Sequence, residues 1–431
     1  MHFILAALLL WPFVSVAQAR AAFTVAVFGD SQRTPDVLSD CTVDNVCTFS
    51  DTSLRTSRYI GSVTDIQNDA TIGLVLHVGD IVEQGNAFPA SACEDIEWRR
   101  MKNILIGPRT TFQGAVDCSA CTCGDQDPGA PVLRVTDSLT GLNDSSLALA
   151  STTKPLIAVR GNHDSMTGGQ WNYDLLFGAL AYSGAPIGLP DATTYRYWRA
   201  DTYLGSFRGD NHAFLVDLGG RNTLVLAMGC SMTTADTQWA RDVLAAHRHL
   251  PAILVTHIWS SSGTAERTTD AVLGIGQDTT GNCNEGTQVA WTDIVASSPN
   301  VRMAFGGHWV DGTGCLAACS EGCATGAVSC GSEGMVSVAR RANLLEVVSN
   351  WQGWNAESVA PGCYSFVTYS AGTVSVDARS NFGGAECNAT GSANWDRRTP
   401  SAQSFPAFDP APCNALMVER VSRVGRVLGC G

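Results

Sequence analysis

The sequence predicts an α/β fold built on mixed β-sheets, and three observations carry that expectation. Short apolar runs of strand length recur along the chain, and several stop at a glycine followed by a polar residue. Two of these runs, Phe23 to Phe28 and Ile72 to Val78, bracket a stretch with helical patterning from about Ser53 to Gln67. Strand, helix, strand at that spacing is a βαβ unit, so the two strands are parallel. Further along, His212 to Leu218 and Asn222 to Met228 are joined through Gly219-Gly220 as a hairpin, which is antiparallel. Parallel and antiparallel pairs together make the sheets mixed.

Taken in order, the run Phe3 to Ala17, followed by Gln18-Ala19, has the form of a secretory signal with Ala17-Gln18-Ala19 as its cleavage site. It is too short for a membrane span, and no other long apolar stretch exists in the sequence. Residues 1–19 are therefore read as a signal peptide and the mature protein as secreted or periplasmic, with no membrane span. The first strand ends in Gly29-Asp30-Ser31-Gln32 and the second in Gly79-Asp80. Residues 86–155 are long for a connection and hold Cys93, Cys118, Cys121 and Cys123 amid Gly, Asp and Pro, which suggests a disulfide-pinned surface insertion. A helix is expected within it around Glu97 to Met101. The run Leu156-Ile157-Ala158-Val159 is a buried strand delivering Gly161-Asn162-His163-Asp164.

Tyr203 to Phe207 precedes the hairpin as a strand, and Asp236 to Leu244 has helical spacing that ends before Pro251. Ala252 to Thr256 is another buried strand, ending at His257. A helix is expected near Thr287 to Ser297, and the strand Val301 to Phe305 ends in Gly306-Gly307-His308. Three more strands are expected at Leu344 to Val348, Ser365 to Ser370 and Thr373 to Val376. The main domain thus covers residues 20–378, and residues 379–431 form an irregular tail held by Cys387, Cys413 and Cys430.

With 431 residues, 45% of them hydrophobic and 16% charged, the chain can bury a large core as one large domain with insertions or as two domains. Its net charge of −13 argues against a protein that follows nucleic-acid backbone, which needs a basic surface. Sixteen cysteines fit an oxidising compartment and a set of disulfides. Cys118, Cys121 and Cys123, or Cys315, Cys319 and Cys323, also fit thiolate ligation of zinc. Neither group shows two CxxC pairs at zinc-finger separation, so disulfides are the preferred reading.

Five strand ends present Asp30 with Gln32, Asp80, Asn162 with His163, His257, and His308. Carboxylate, amide oxygen and imidazole form a ligand set for divalent transition metals. Taken singly each has a bland explanation: a lone strand histidine is more often a hydrogen-bonded core residue, and Gly-Asp at a strand end is commonly a turn. His77 and His212 are read that way. The five together, in this order, are hard to attribute to chance.

These motifs resemble those of the calcineurin-like metallophosphoesterases, in the order Asp30-Ser31-Gln32, Gly79-Asp80 through Gly85, Gly161 to Asp164, Thr256-His257 and Gly307-His308. The resemblance spans about residues 23 to 310 and is nearest a secreted branch. It implies a two-sheet β-sandwich flanked by helices, and one or two divalent metal ions, Mn, Fe or Zn. One ion would take Asp80, Asn162, His257 and His308. The other would take Asp30, Gln32 and Asp80, with Asp80 bridging. This second set departs from the family pattern, because the final histidine falls on Val310 and Gln32 replaces a stronger donor. His163 resembles the family's proton donor to the leaving oxygen, with Asp164 placed to orient it. The implied activity is hydrolysis of a small phosphorylated substrate by in-line attack of metal-activated water on phosphorus. The competing implication is a phosphate- or surface-binding protein on the same scaffold, its catalysis weakened by Val310. No nucleophile elbow, P-loop or dinucleotide fingerprint occurs.

Overall fold

A computed structural model describes residues 21–31, 46–50, 54–82, 113–117, 154–168, 202–207, 210–230, 232–259, 294–308, 335–341, 344–350, 362–370, 372–379 and 403–404, with Trp98, Met101, Leu105, Tyr173 and Phe177. The signal-like segment, Gln32, Val310, the cysteines of the 86–155 insertion, the cluster Cys315 to Cys330 and nearly all of the tail lie outside the described residues. Most of the helix expected near Thr287 to Ser297 lies outside them too.

The first sheet has the order β15-β14-β13-β1-β3-β5. It comprises β1 (Phe23–Phe28), β3 (Ile72–His77), β5 (Leu156–Ala158), β13 (Tyr364–Ser370), β14 (Thr373–Arg379) and β15 (Gln403–Ser404). The second has the order β11-β12-β10-β9-β8-β7-β6. Its strands are β6 (Thr202–Phe207), β7 (Asn211–Asp217), β8 (Asn222–Met228), β9 (Ala252–Ile258), β10 (Val301–Gly307), β11 (Met335–Arg341) and β12 (Leu344–Asn350). Both sheets are mixed. β1, β3 and β5 run parallel, as do β8, β9, β10 and β12, while the flanking strands are antiparallel. A separate pair joins β2 (Val46–Ser50) to β4 (Gln113–Asp117).

Side-chain alternation along the strands explains the layering. Val25, Val27, Leu74 and Leu76 point into a shared core with Val225, Ala227, Ile253, Val255, Met303 and Phe305 of the second sheet. The intervening Ala26, Phe28 and Val75 face the other way, onto Tyr59, Val63 and Ile66 of α1 (Leu54–Asn68) and onto Trp98, Met101 and Leu105. On the far side of the second sheet, Leu224, Leu226, Ala252 and Leu254 pack against Ala240 and Leu244 of α2 (Thr234–Ala246). The order helix, sheet, sheet, helix follows from strands that are apolar on both faces.

Local signals start and stop these elements. α2 opens with a capping box, in which Thr233 Oγ1 accepts from Asp236 N and Asp236 Oδ2 accepts from Thr233 N at 2.6 Å. α1 closes on Lys154, whose ammonium donates to the carbonyls of Ile66 and Asp69. Gly219 and Gly220 both have positive φ, 62° and 80°, as the two central residues of a hairpin closed by Leu218 and Arg221 require. β11 and β2–β4 were not among the expected strands. β15 also forms inside the tail that was expected to be irregular.

Candidate metal centre

Every expected ligand among the described residues lies at the carboxyl end of a parallel strand, where open α/β sheets place their sites. Asp30 follows β1, Asp80 follows β3, and Asn162 and His163 follow β5. His257 is the penultimate residue of β9, and His308 comes directly after β10. The topology therefore brings residues separated by more than 200 positions to one edge of the sandwich.

Four of these side chains converge. His257 Nε2 lies 2.8 Å from Asn162 Oδ1, 3.1 Å from His308 Nδ1 and 3.3 Å from Asp80 Oδ1. Asp80, His257 and His308 offer ligand atoms all within 4.8 Å of one another. These separations are those of neighbouring donors on a single ion with bonds of roughly 2.0–2.2 Å. The other nitrogen of His257, Nδ1, lies 2.8 Å from the Val78 carbonyl, which can only accept. Nδ1 therefore carries a proton, so whenever the ring is neutral it is the Nε2 lone pair that faces the site.

The amide of Asn162 tests whether the donor set fits a cation. Its oxygen faces only acceptors, with both Asp80 oxygens, His257 Nε2 and His308 Nδ1 around it. Turning the amide over would place its nitrogen 3.2 and 3.3 Å from the Asp80 oxygens, 2.8 Å from His257 and 2.9 Å from His308. Two N–H groups cannot serve all of those acceptors. A cation at their centre satisfies every one with the oxygen facing inward, so the residues present fit a divalent ion.

Ionisation equilibria agree. Burial drives Asp30 up to about 7, opposed by His257 and reinforced by the Asp80 charge. Burial alone would raise Asp80 as well, but His257, with His163 and His308, outweighs it and holds Asp80 below the usual carboxylate range. Burial would lower His257, yet Asp80 and Asp30 pull it up to about 9. Without a metal ion, a proton supplies the positive charge this cluster needs.

Close backbone approach makes the assembly possible. A Cβ on Gly79 would lie 2.7 Å from His257 Nδ1, one on Gly161 2.1 Å from Asp80 Oδ1, and one on Gly307 2.5 Å from Asp30 Oδ1. Two ligands are themselves strained: Asp80 has φ 50° and His308 has φ 67°. Such left-handed non-glycine residues cost on the order of 1–3 kcal/mol each and persist where surrounding bonds over-determine them. Asp80 accepts Ser31 N at its carbonyl and His163 N at Oδ1. His308 N donates to both oxygens of Asp30, at 3.1 and 3.2 Å.

Asp30 thus stands beside the four-ligand cluster and holds His308 in place. Its Oδ1 is 3.8 Å from His257 Nδ1, the nitrogen that faces away from the cluster. Of the second ligand set, Gln32 and the Val310 position are outside the described residues.

Asp164 accepts from Ile81 N at 2.8 Å and Val82 N at 3.1 Å through Oδ1, and from Gly161 N at 2.9 Å through Oδ2, bonds that the sequence did not foretell. It begins the 3-10 turn His163–Gly168 and ties the loop bearing Asp80 to the loop bearing Asn162. His163 is half-buried and sits at the same turn, held through its backbone nitrogen by Asp80.

Two further groups support the loops that carry the ligands. Gly79 N–H faces His77 Nδ1 at 3.3 Å, leaving His77 Nε2–H to donate to Ser31 Oγ at 2.8 Å. Ser31 Oγ then donates to the Ile81 carbonyl. Burial, aided by His257, lowers His77 to about 3, so the ring stays neutral as this bonding requires. Arg160, directly before Gly161, pairs with Asp210 at 2.5 Å, and both are buried. Nothing in the sequence links those two residues. His212 is a buried core residue beside Phe214, as the sequence suggested.

No family model matches this chain, and no curated protein matches it significantly. Among solved structures it is similar to a predicted phosphoesterase of Streptococcus pneumoniae, with 11% identity over 85% of this chain and 93% of the other, at a TM-score of 0.27. The protein TT1561 of Thermus thermophilus shows 9% identity, covering 80% and 94% of the two chains, with a TM-score of 0.34. The NAD nucleotidase of Haemophilus influenzae shows 11% identity over 84% of this chain and half of the other, with a TM-score of 0.33. Likeness of this order transfers no activity from those proteins to this chain.

Proposed function

We propose that this chain is an exported metal-dependent phosphoesterase acting on a small phosphorylated substrate. The observation that carries the reading is the convergence of Asp80, Asn162, His257 and His308 on one buried point, with the Asn162 oxygen facing only acceptors. The order of the motifs, which resembles that of the calcineurin-like metallophosphoesterases, turns a cation site into a phosphoesterase site. Carboxylate, amide oxygen and two imidazoles suit Mn, Fe or Zn.

When bound, such an ion supplies Lewis-acid polarisation of a phosphoryl oxygen and lowers the pKa of a coordinated water. The chain's own residues do the rest. Val78 keeps the His257 Nδ1 proton away from the site, and Asp30 and Asp164 fix the loops from behind. His163, half-buried at the turn after Asn162, is the group we assign to protonate the leaving oxygen. The acidic chain, at −13, offers little diffuse attraction for an anion, so the local ion must provide the field. That charge also disfavours long nucleic acid as a partner. We assign residues 1–19 to the export signal, 86–155 to a disulfide-bearing insertion and 379–431 to a tail tethered by Cys387, Cys413 and Cys430.

Turnover of generic phosphate mono- and diesters, assayed with Mn, Fe(II) and Zn in turn, tests the reading. Hydrolysis that disappears in Asp80→Asn supports the enzyme. Tight binding of inorganic phosphate with no turnover under any of the three metals supports the binding protein that Val310 favours.

A further inference from the structure

The loop carrying Asn162 is anchored on both sides. From the first sheet it is held by the loop after β3: Ile81 N and Val82 N donate to Asp164 Oδ1, and Asp80 Oδ1 accepts from His163 N. From the second sheet it is held through the residue before its glycine. Arg160 Nη2 donates to Asp210 Oδ2 at 2.5 Å, and the Arg160 carbonyl accepts from Cys230 N at 3.1 Å. Asp210 stands at the start of β7 and Cys230 follows β8, so both anchors belong to the second sheet.

Asp210 is itself confined. A Cβ on Gly229 would lie 2.6 Å from its Oδ2, so only glycine leaves room for the carboxylate. The adjacent Asn211 donates through Nδ2 to Asp236 Oδ1 at 3.0 Å and accepts Gly229 N at Oδ1. Asp236 is the residue that closes the capping box of α2. A continuous set of bonds therefore runs from the α2 cap, along the first residues of β7, to the residue two before Asn162. The pair is buried, with Arg160 at 8% and Asp210 at 4% exposure. Removing either partner strands a charge out of water, so the pair is specified strongly even where its net stabilisation is small.

We propose that the Arg160–Asp210 ion pair is a positioning device for Asn162: it registers the 160–163 loop against the second sheet and so sets the distance from Asn162 Oδ1 to His257 and His308. Neither residue touches the cluster. His257 and His308 come from the second sheet and Asn162 from the first, so a tie between the sheets at this loop controls whether the amide oxygen meets the two imidazoles. The proposal rests on the metal reading above for its consequence, and on the hydrogen bonds alone for its geometry.

The test compares wild type, Asp210→Asn, Arg160→Lys and Lys154→Met. Lys154→Met removes a buried cation at the opposite, amino-terminal end of β5 and serves as the destabilised control. Calorimetric titration of the metal-free proteins with Mn2+ should show Asp210→Asn binding roughly 10–100-fold more weakly, as loss of groups that orient metal ligands generally does. Arg160→Lys keeps the charge but loses the planar fork and should fall between. Lys154→Met should bind as wild type does. Hydrogen exchange of segment 159–165, measured without metal, should quicken in the two site variants and not in the control. Unchanged Mn2+ affinity and unchanged exchange in a folded Asp210→Asn or Arg160→Lys protein would overturn the proposal. A wild type that ignores Mn2+, with exchange still quickened in the variants, would sink the metal reading and leave the positioning role standing.

Discussion

Replacing Gly161 by alanine is the sharpest single perturbation the site offers. Gly161 has no positive φ, so the change is purely steric. The new methyl would sit 2.1 Å from Asp80 Oδ1 and 2.3 Å from Asp80 N, whereas ordinary contact begins at 3.4 Å. The carboxylate must therefore retreat by about 1.3 Å, the difference between 2.1 and 3.4 Å. It has nowhere to go. Oδ1 is held by His163 N, the Asp80 carbonyl by Ser31 N, and the preceding Gly79 is packed against the His257 ring. Overpacking of this kind costs about 1–3 kcal/mol, and loss of the bond from His163 N to the carboxylate adds about 1.5–3 kcal/mol. Urea unfolding of the metal-free protein should therefore show a loss of about 3–6 kcal/mol. Displacing a ligand by more than 1 Å should also lower ester turnover on the order of a hundredfold. Gly220→Ala supplies the contrast, because it has φ 80° and nothing within 4 Å of the added methyl. It should cost only the 1–2 kcal/mol of a left-handed residue and leave Mn2+ affinity untouched. If Gly161→Ala unfolds within 0.5 kcal/mol of wild type and binds Mn2+ equally well, the apposition of Asp80 and Gly161 is wrong.

Asp164→Ala deprives three buried backbone amides of their acceptor, so unfolding should show a loss of about 3 kcal/mol or more, with Asp164→Asn recovering part of it. Thr233→Ala removes one half of the α2 capping box and should cost about 1 kcal/mol in urea unfolding while ester turnover per folded molecule is unchanged. His212 is held neutral by burial, with its pKa lowered to about 3, so above the unfolded value near 6.5 both states are neutral and no pH dependence arises. As pH falls through 6.5 the unfolded chain gains a proton that the folded one refuses, and stability drops by about 1.4 kcal/mol per unit, or about 2 kcal/mol by pH 5. Comparing unfolding of wild type and His212→Met at pH 7.5 and 5 should show the variant escaping that loss; equal losses would count against it.

Legibility followed burial and locality. The central parallel strands are apolar on both faces and end at glycines, so their positions, and with them Asp30, Asp80, Asn162, His257 and His308, could be read from local pattern. β11 could not. It carries Arg340 and Arg341, lies at the sheet edge and owes its extended form to pairing with β12. The β2–β4 pair joins segments more than 60 residues apart, one of them the unremarkable Gln113-Gly114-Ala115-Val116-Asp117. The bonds of Asp164 were hidden for a related reason. Through the 3-10 turn its carboxylate reaches amides 81, 82 and 161, two of them more than 80 positions away. The Arg160–Asp210 pair spans 50 positions, and no periodicity encodes it.

What sequence conceals most is that the ligands are held by groups that are not ligands. Asp80 and His308 occupy backbone conformations that each cost on the order of 1–3 kcal/mol. Each is opposed by a hydrogen bond involving a carboxylate, His163 N to Asp80 and His308 N to Asp30, of about 1.5–3 kcal/mol. The two magnitudes nearly cancel, so these residues sit close to a balance between the strained conformation and a relaxed one. A binding ion then meets donors already at 2.8–3.3 Å from one another and spends little on rearranging them. The same balance makes the supporting bonds disproportionately important. Breaking the Asp30–His308 bond does not merely remove one contact; it lets φ relax at His308 and carries the imidazole away from His257. Loss of metal affinity on removing a support should therefore exceed the energy of the bond removed, and it should be largest at the two strained residues.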